Sequence, residues 1–295
     1  MDISGASALT FASVLYIRSL IRIFAMKTMA LKTDKQLHLY PMPGGKVTAF
    51  STTRHGGWGS GTYAAFNCTP YTGDEAAVVR ANQEKLCRLL GVAADRLVIP
   101  YQTHSCHILP LDESFMQLSA EARQALLQDK DAVITNITGL CLCVSTADCI
   151  PVLLYDAAHR AIAAVHAGWR GTVGRIVTRT LHAMHGAYGT VGADVHAIIG
   201  PGISLEAFEV GMEVYETFRD EGFDMEQIAC WHPEKGKYHL DLPTANRLLL
   251  MDAGVPIAQI HDSGICTYTR HHDFFSARRL GIKSGRILNG IMLTQ

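Results

Sequence analysis

Three short runs of apolar and β-branched residues constrain this chain more than any other feature: residues 140–146 (Leu-Cys-Leu-Cys-Val-Ser-Thr), 150–155 (Ile-Pro-Val-Leu-Leu-Tyr) and 160–165 (Arg-Ala-Ile-Ala-Ala-Val). Each is too short for a typical helix and reads as a strand. Asp156-Ala157-Ala158-His159 supplies a four-residue turn, so the second and third runs form a hairpin. Pairing Tyr155 with Arg160 sets Cys149 directly opposite His166. Directly opposed antiparallel residues hold their Cβ atoms about 4.5 to 5.5 Å apart, close enough for a thiolate and an imidazole to share one metal ion.

From about Gly45 onward the pattern is a continuous mixture of strands and helices, with no linker, charge block or repeat to divide it. Strands are predicted at 46–53, 96–101, 131–135 and 195–199. Helices are predicted at 74–90, closed by Gly91, and at 119–128, 173–185 and 244–253, the last with Asp241 and Thr244 as caps and Gly254 as its end. Strands at irregular intervals, some in hairpins, predict an α+β fold in a single domain, with mixed sheets carrying helices on their outer faces.

A chain of 295 residues, 48% of them hydrophobic, can bury a full core. Its 26 basic and 27 acidic residues give a formal net charge of −1, so no sequence-wide field attracts nucleic acid or an anionic membrane, and any anion site must be local. Eight scattered cysteines form no compact disulfide framework and read as reduced thiols in a cytoplasmic setting. The apolar run at 6–17 lacks a basic leader and a clear cleavage site and is too short to span a bilayer. With Met26 and Met29 close behind it, residues 1–30 read as an N-terminal extension or a mis-assigned start, and 31–295 as the catalytic domain.

Cys149 ends Thr146-Ala147-Asp148-Cys149 at a strand terminus. His166 opens His166-Ala167-Gly168-Trp169-Arg170-Gly171-Thr172, which enters a helix whose free N–H groups favour anions. An isolated cysteine or histidine is more often a buried structural residue than a ligand, and it is their shared register that favours a ligand pair here. A catalytic zinc site needs a third protein ligand and an open position. Gln102-Thr103-His104-Ser105-Cys106-His107 offers His104, Cys106 and His107. In an extended segment alternation puts the first two on one face, and spacing leaves all three open. Arg54, in Thr53-Arg54-His55-Gly56-Gly57, and Arg278 and Arg279, after Phe274-Phe275-Ser276-Ala277, are candidate anion ligands.

These segments resemble the YfiH family, variously called purine nucleoside phosphorylase, polyphenol oxidase or laccase-domain protein, and peptidoglycan editing factor. The resemblance runs over roughly residues 45–293. Beyond the segments above it includes Asn67 before Gly73-Asp74, Gly200-Pro201-Gly202-Ile203, Phe208-Glu209-Val210-Gly211, Asp241-Leu242 with Asn246, Cys266-Thr267, and Gly285-Arg286. It departs at Cys68-Thr69-Pro70-Tyr71-Thr72, where the family has Leu-Gly-x-His-Val. The resemblance implies His104, Cys149 and His166 as metal ligands, zinc as the metal with copper an alternative, and a cytoplasmic enzyme acting on purine nucleosides. Phosphorolysis with inorganic phosphate and deamination of adenosine are both implied. Arg54, Asn67, Arg170, Arg278 and Arg279 are then the substrate-binding candidates, the arginines for phosphate, and Asp148 is the candidate proton shuttle.

Zinc in such a set lowers the pKa of bound water to about 7, which suits attack on C6 of adenosine, although the H-x-E and P-C-x-x-C signature of zinc nucleobase deaminases is absent. A copper-dependent, laccase-like oxidase is the secondary reading, since the chain has 14 histidines and no His-x-His pair of the kind multicopper oxidases carry. A peptidoglycan-editing hydrolase with Cys149 as nucleophile, and a zinc-stabilised binding module, are the remaining alternatives.

Overall fold

The computed structural model describes residues 35–295. The reading of residues 1–30 lies outside them. Two mixed sheets form the centre. The first has the order β1 (Leu37–Tyr40), β2 (Val47–Thr52), β14 (Ile287–Leu293), β6 (Cys141–Thr146) and β3 (Leu97–Val98). The second has the order β13 (Ile260–Asp262), β9 (Val195–Ile199), β7 (Ile150–Asp156), β8 (Ala161–Ala167), β5 (Ala132–Thr135) and β4 (Ile108–Leu111). Pairs β3–β6, β4–β5 and β9–β13 are parallel and the other neighbours antiparallel. A small antiparallel sheet, β10 (Glu209–Val210), β12 (Lys237–Leu240) and β11 (Ala229–His232), stands apart.

Burial on both faces explains why the central strands are apolar throughout instead of alternating with polar residues. Leu153 and Tyr155 of β7 share a core with Val144 of β6 and Ile291 of β14, which places the two sheets face to face. Ile150, Val152 and Leu154 point the other way, into a core with Ile176, Val177 and Leu181 of helix α4 (Ile176–Tyr188) and Ala245 and Leu250 of α7 (Leu242–Asp252). On the outside of the first sheet, Leu86 of α1 (Ala76–Leu90) packs with Phe50, Cys141 and Leu288. The result is helix, sheet, sheet, helix, the layering predicted. Each fully buried Leu or Ile contributes about 1.5–3 kcal/mol. The remaining helices are short: α2 (Ala120–Leu126), α3 (Trp169–Val173), α5 (Met212–Asp220), α6 (Met225–Ile228) and α8 (Ala277–Leu280). None of the described helices is long and apolar enough to cross a membrane.

Local signals act as read at several ends. Gly91 closes α1 in the left-handed region, the Ser119 side chain accepts from Ala122 N at the start of α2, and the Asp241 carboxylate accepts from Thr244 N at the start of α7. The hairpin register is corrected. Asp156 pairs with Ala161 and Pro151 with His166, so Cys149 is not opposite His166 but diagonal to it. Arg160 lies in the loop at φ 50°, and the Asp156 side chain accepts from Ala158 N and His159 N, which closes a loop of residues 157–160. The offset is two residues, so the alternation of faces is preserved.

Other expectations are revised in extent. The strand predicted at 96–101 is ladder-paired only at Leu97–Val98, and the helix predicted at 173–185 is divided by Arg175 at φ 57° into α3 and α4. Strand β14 was not predicted, because it contains Asn289-Gly290, a strong turn signal. In the fold Asn289 is buried and hydrogen-bonded to Ser51 and Thr146, while the Phe50 ring fills the space beside Gly290, where a Cβ would come within 2.5 Å of it.

Candidate metal centre and its cavity

Asp131, just ahead of β5, organises the site. It is fully buried, and its carboxylate accepts from the backbone N–H groups of Thr103 (3.1 Å), His104 (3.1 Å) and Ser105 (2.8 Å) and from Ser105 Oγ (2.8 Å). That gathers the 103–105 loop around one anion, with His104 at φ 62°. Asp131 Oδ1 also lies 2.7 Å from His166 Nδ1, which fixes the ring and leaves Nε2 to face Cys149. Gln102 ties the same loop to β6, its side chain donating to Ser145 O and accepting from Ser145 N.

His104, Cys149 and His166 each offer a ligand atom, and these lie within 4.8 Å of one another. Cys149 Sγ is 3.7 Å from His104 Nε2, and the two imidazole rings meet edge-on with centroids 4.8 Å apart. Cys106 and His107 are turned elsewhere: Cys106 Sγ toward Gly171 O, and His107 Nδ1 2.7 Å from Asp129 Oδ2. The loop is not an extended strand, and of the three side chains that spacing left open it turns His104 toward Cys149 and His166.

Burial pushes the Cys149 thiol up, but the His166 charge and hydrogen bonding with His104 and His166 outweigh it and bring it down to about 6. Burial likewise favours a neutral His166, yet the Cys149 charge and the Asp131 hydrogen bond raise it to about 9. A thiolate backed by imidazoles, one of them braced by a carboxylate, is a soft donor set that fits zinc or copper. In metal-free protein, alkylation of Cys149 is expected to have its midpoint near pH 6, against the ordinary thiol value of 9.0, because the thiolate persists down to the lowered pKa. Peptide mapping after iodoacetamide labelling across that range checks it, and bound metal should suppress the labelling.

Gly168 makes this convergence possible. A Cβ there would lie 2.9 Å from His104 Cδ2 and 3.0 Å from Cys149 Sγ. Gly168→Ala is therefore expected to separate these two side chains and weaken binding of a zinc or copper ion offered to the site by about 10- to 100-fold, the usual cost of misplaced ligand support. Competition against a chromophoric chelator measures it, and unchanged affinity would show that the neighbours yield freely.

The donors open onto a cavity of about 330 Å³, lined also by Thr69, Tyr71, Tyr101, Gln102, Ser145 and Arg286. Tyr71 and Tyr101 meet edge-on at 5.0 Å, and Thr69, Tyr71 and Thr72 belong to the segment that departs from the family pattern. Arg286 belongs to the Gly285-Arg286 motif, from which its position in the cavity wall cannot be read. Its guanidinium is held by the carbonyls of Ile282, Ser284 and Gly285, and burial lowers its pKa against the opposing pull of Cys149, Asp148 and Tyr63. Asp131 and Tyr101 likewise carry no mark of the site in the sequence, since a carboxylate at the head of a strand or a tyrosine at its end is no signal on its own.

The five substrate-binding candidates are not among the cavity-lining side chains. Arg54 donates to Ala64 O and His271 O and sits over Phe275. Buried Asn67 accepts from Thr69 N and Arg286 N, so it fixes two parts of the wall from behind. Arg170 is exposed over the Trp169 ring, both Nη atoms of Arg278 reach Glu209 O, and Arg279 donates to Tyr268 Oη. Asp148, at φ 90°, accepts from Thr267 Oγ1 at 2.6 Å and Arg278 N at 2.7 Å, so both its oxygens are engaged.

A family model described as multi-copper polyphenol oxidoreductase laccase matches residues 48–294. Among similar proteins, the purine nucleoside phosphorylase of Bacteroides thetaiotaomicron is 54% identical over 247 residues, covering 84% of this chain and 92% of that protein. Adenosine deaminase RL5, from an unknown prokaryotic organism, is 44% identical over 245 residues, 83% of this chain and 93% of that protein. The crystal structure of the Bacillus licheniformis hypothetical protein YfiH superposes with a TM-score of 0.82 at 29% identity, over 89% of this chain and 98% of that one. The described residues do not fit a multi-copper centre, since they bring no second cluster rich in histidine beside His104, Cys149 and His166. Among those described, the further cluster of ligating side chains brings one histidine with two aspartates. With sequence and architecture in agreement, the chain belongs to the multi-copper polyphenol oxidoreductase laccase family, the family of YfiH.

Proposed function

We propose that this chain is a purine nucleoside phosphorylase with adenosine deaminase activity in the same cavity. The observation that carries the reading is the convergence of a His₂Cys donor set and a fixed guanidinium on one cavity of about 330 Å³. That volume lies in the range of small-molecule sites, about 300–1,000 Å³, and suits a nucleoside better than a polymer. The relatives named purine nucleoside phosphorylase and adenosine deaminase support the substrate class.

His104, Cys149 and His166 would hold a zinc ion, which when bound supplies Lewis acidity and lowers the pKa of a water to about 7. Tyr71 and Tyr101 offer aromatic surface for the base. Arg286, held rigidly by three carbonyls, is placed to orient phosphate. In phosphorolysis a phosphate oxygen bonds to C1′ of the ribose as the bond from C1′ to the purine breaks, and the base leaves with a proton. In deamination water adds at C6 and ammonia departs.

In this reading the phosphate role passes from Arg54, Arg170, Arg278 and Arg279 to Arg286, and Asn67 acts by positioning Arg286. As a proton shuttle Asp148 would act with one oxygen released from Thr267; with both bonds kept it positions the start of α8 beside Cys149. Metal analysis combined with chromatography of adenosine reactions, with and without phosphate, tests the proposal. Phosphate-dependent adenine supports phosphorolysis, inosine supports deamination, and hypoxanthine marks both in sequence. Zinc-loaded protein that converts no nucleoside would overturn it in favour of a binding module. Activity that survives metal removal and is lost on alkylation would overturn it in favour of a Cys149 nucleophile.

A further inference from the structure

The hairpin that carries Cys149 at one end carries a second cluster of ligating groups at the other. We propose that Asp156, His159 and Asp194, together with Thr190, form a separate site for a divalent transition-metal cation of the zinc or cobalt type. Asp156 ends β7 and is fully buried, with Oδ2 2.8 Å from His159 Nδ1. Asp194 immediately precedes β9, and the register that pairs Asp156 with Val195 brings it alongside. The hairpin loop is tied to it again by Ala157 N donating to Asp194 O at 3.5 Å.

One ligand atom from each of the three side chains lies within 4.8 Å of the other two. Tetrahedral bonds of about 2.0–2.2 Å separate ligands by roughly 3.3 Å, so only a small closure is required. Two carboxylates and one imidazole thus converge on one point.

An independent observation points the same way. Thr190 is 2% exposed and its Oγ1 makes no hydrogen bond of ordinary geometry, yet it lies near enough to Asp156 to act on that carboxylate's charge. A buried hydroxyl that makes no well-formed hydrogen bond yet faces the Asp156 carboxylate can turn its oxygen to a cation as a fourth ligand atom. Gly189 leaves room at the ring, since even a Cβ there would come no closer than 3.5 Å to His159 Nε2. His159, with 39% of its side chain exposed, gives an ion access from solvent. Nitrogen and oxygen donors without sulfur favour zinc, cobalt or manganese over cuprous copper. Seven residues of strand at about 3.3 Å each separate the site from Cys149, so its occupancy is independent of the cavity and of the reaction proposed there.

The test titrates the metal-stripped full chain with Co²⁺. Two equivalents are expected, one giving an intense near-ultraviolet thiolate-to-cobalt band from the Cys149 centre and one giving only weak visible absorption. D194N, which alters a side chain outside the buried core, should weaken the second equivalent at least about tenfold and leave the near-ultraviolet band in place. H159A should remove that equivalent, and C149S should remove the band while keeping it. Saturation of the unsubstituted chain at the band-forming equivalent alone would overturn the proposal, as would a second equivalent unaffected by both D194N and H159A. Absence of the band with the weak absorption retained would count against the cavity centre and leave this site standing.

Discussion

On the function proposed above, serine in place of Cys149 is expected to keep the fold and lose the cavity's metal, with turnover of purine nucleosides falling on the order of 10³-fold or more. The thiolate is the one anionic donor among the three, and the imidazoles of His104 and His166 alone make a much weaker set for a dication. Serine occupies nearly the same volume but stays protonated near neutral pH, so the loss would be one of charge and softness. Metal content, thermal stability and product formation measured on the same preparations check this. A variant that stays zinc-loaded and active would remove Cys149 from the centre.

Asp131→Asn tests the support beneath that centre, and its effects are expected in both stability and metal binding. Asparagine keeps one acceptor and turns an NH₂ group toward donors that now converge from Thr103, His104, Ser105 and His166. Breaking a buried charge pair of this kind costs about 3–5 kcal/mol, and loss of the partner of a ligating histidine costs about 10- to 100-fold in metal affinity. Burial pushes the Asp131 carboxyl up, but hydrogen bonds from His166 and Ser105 and the His166 charge hold it down at about 2. Because the folded value lies below the unfolded 3.8, this stabilisation is fully present above pH 3.8 and disappears as pH falls through about 2. Denaturation of metal-free unsubstituted and D131N proteins should therefore show a stability gap at neutral pH that closes across that window. Equal stability at pH 7 would show that Asp131 is dispensable.

What the sequence makes legible follows from physical range. The apolar runs at 140–146, 150–155 and 160–165 are read correctly as strands, found at Cys141–Thr146, Ile150–Asp156 and Ala161–Ala167, because burial on both faces keeps all but a few of their positions apolar. The hairpin register is not legible to the residue, since nothing in the sequence places Arg160 in the loop instead of the strand. The two-residue offset nevertheless keeps Cys149 and His166 on one face, which is why the pair still converges. His104 could not be chosen over Cys106 or His107 from spacing, because the choice depends on Asp131, 27 residues away from His104 in the chain. Arg286 carries no local mark of its position. It reaches the cavity through β14, whose Asn-Gly pair looks like a turn until Ser51, Thr146 and Phe50 are seen around it.

Strand β14 inserts between β2 and β6, so the centre of the first sheet is filled by residues 287–293, synthesised some 140 residues after its neighbour β6. Until that segment leaves the ribosome, the two flanking strands have open edges where β14 is to pair. A nascent chain halted before it would therefore carry His104, Cys149 and His166 without the strand that completes the first sheet, and so without a finished wall for the cavity they face.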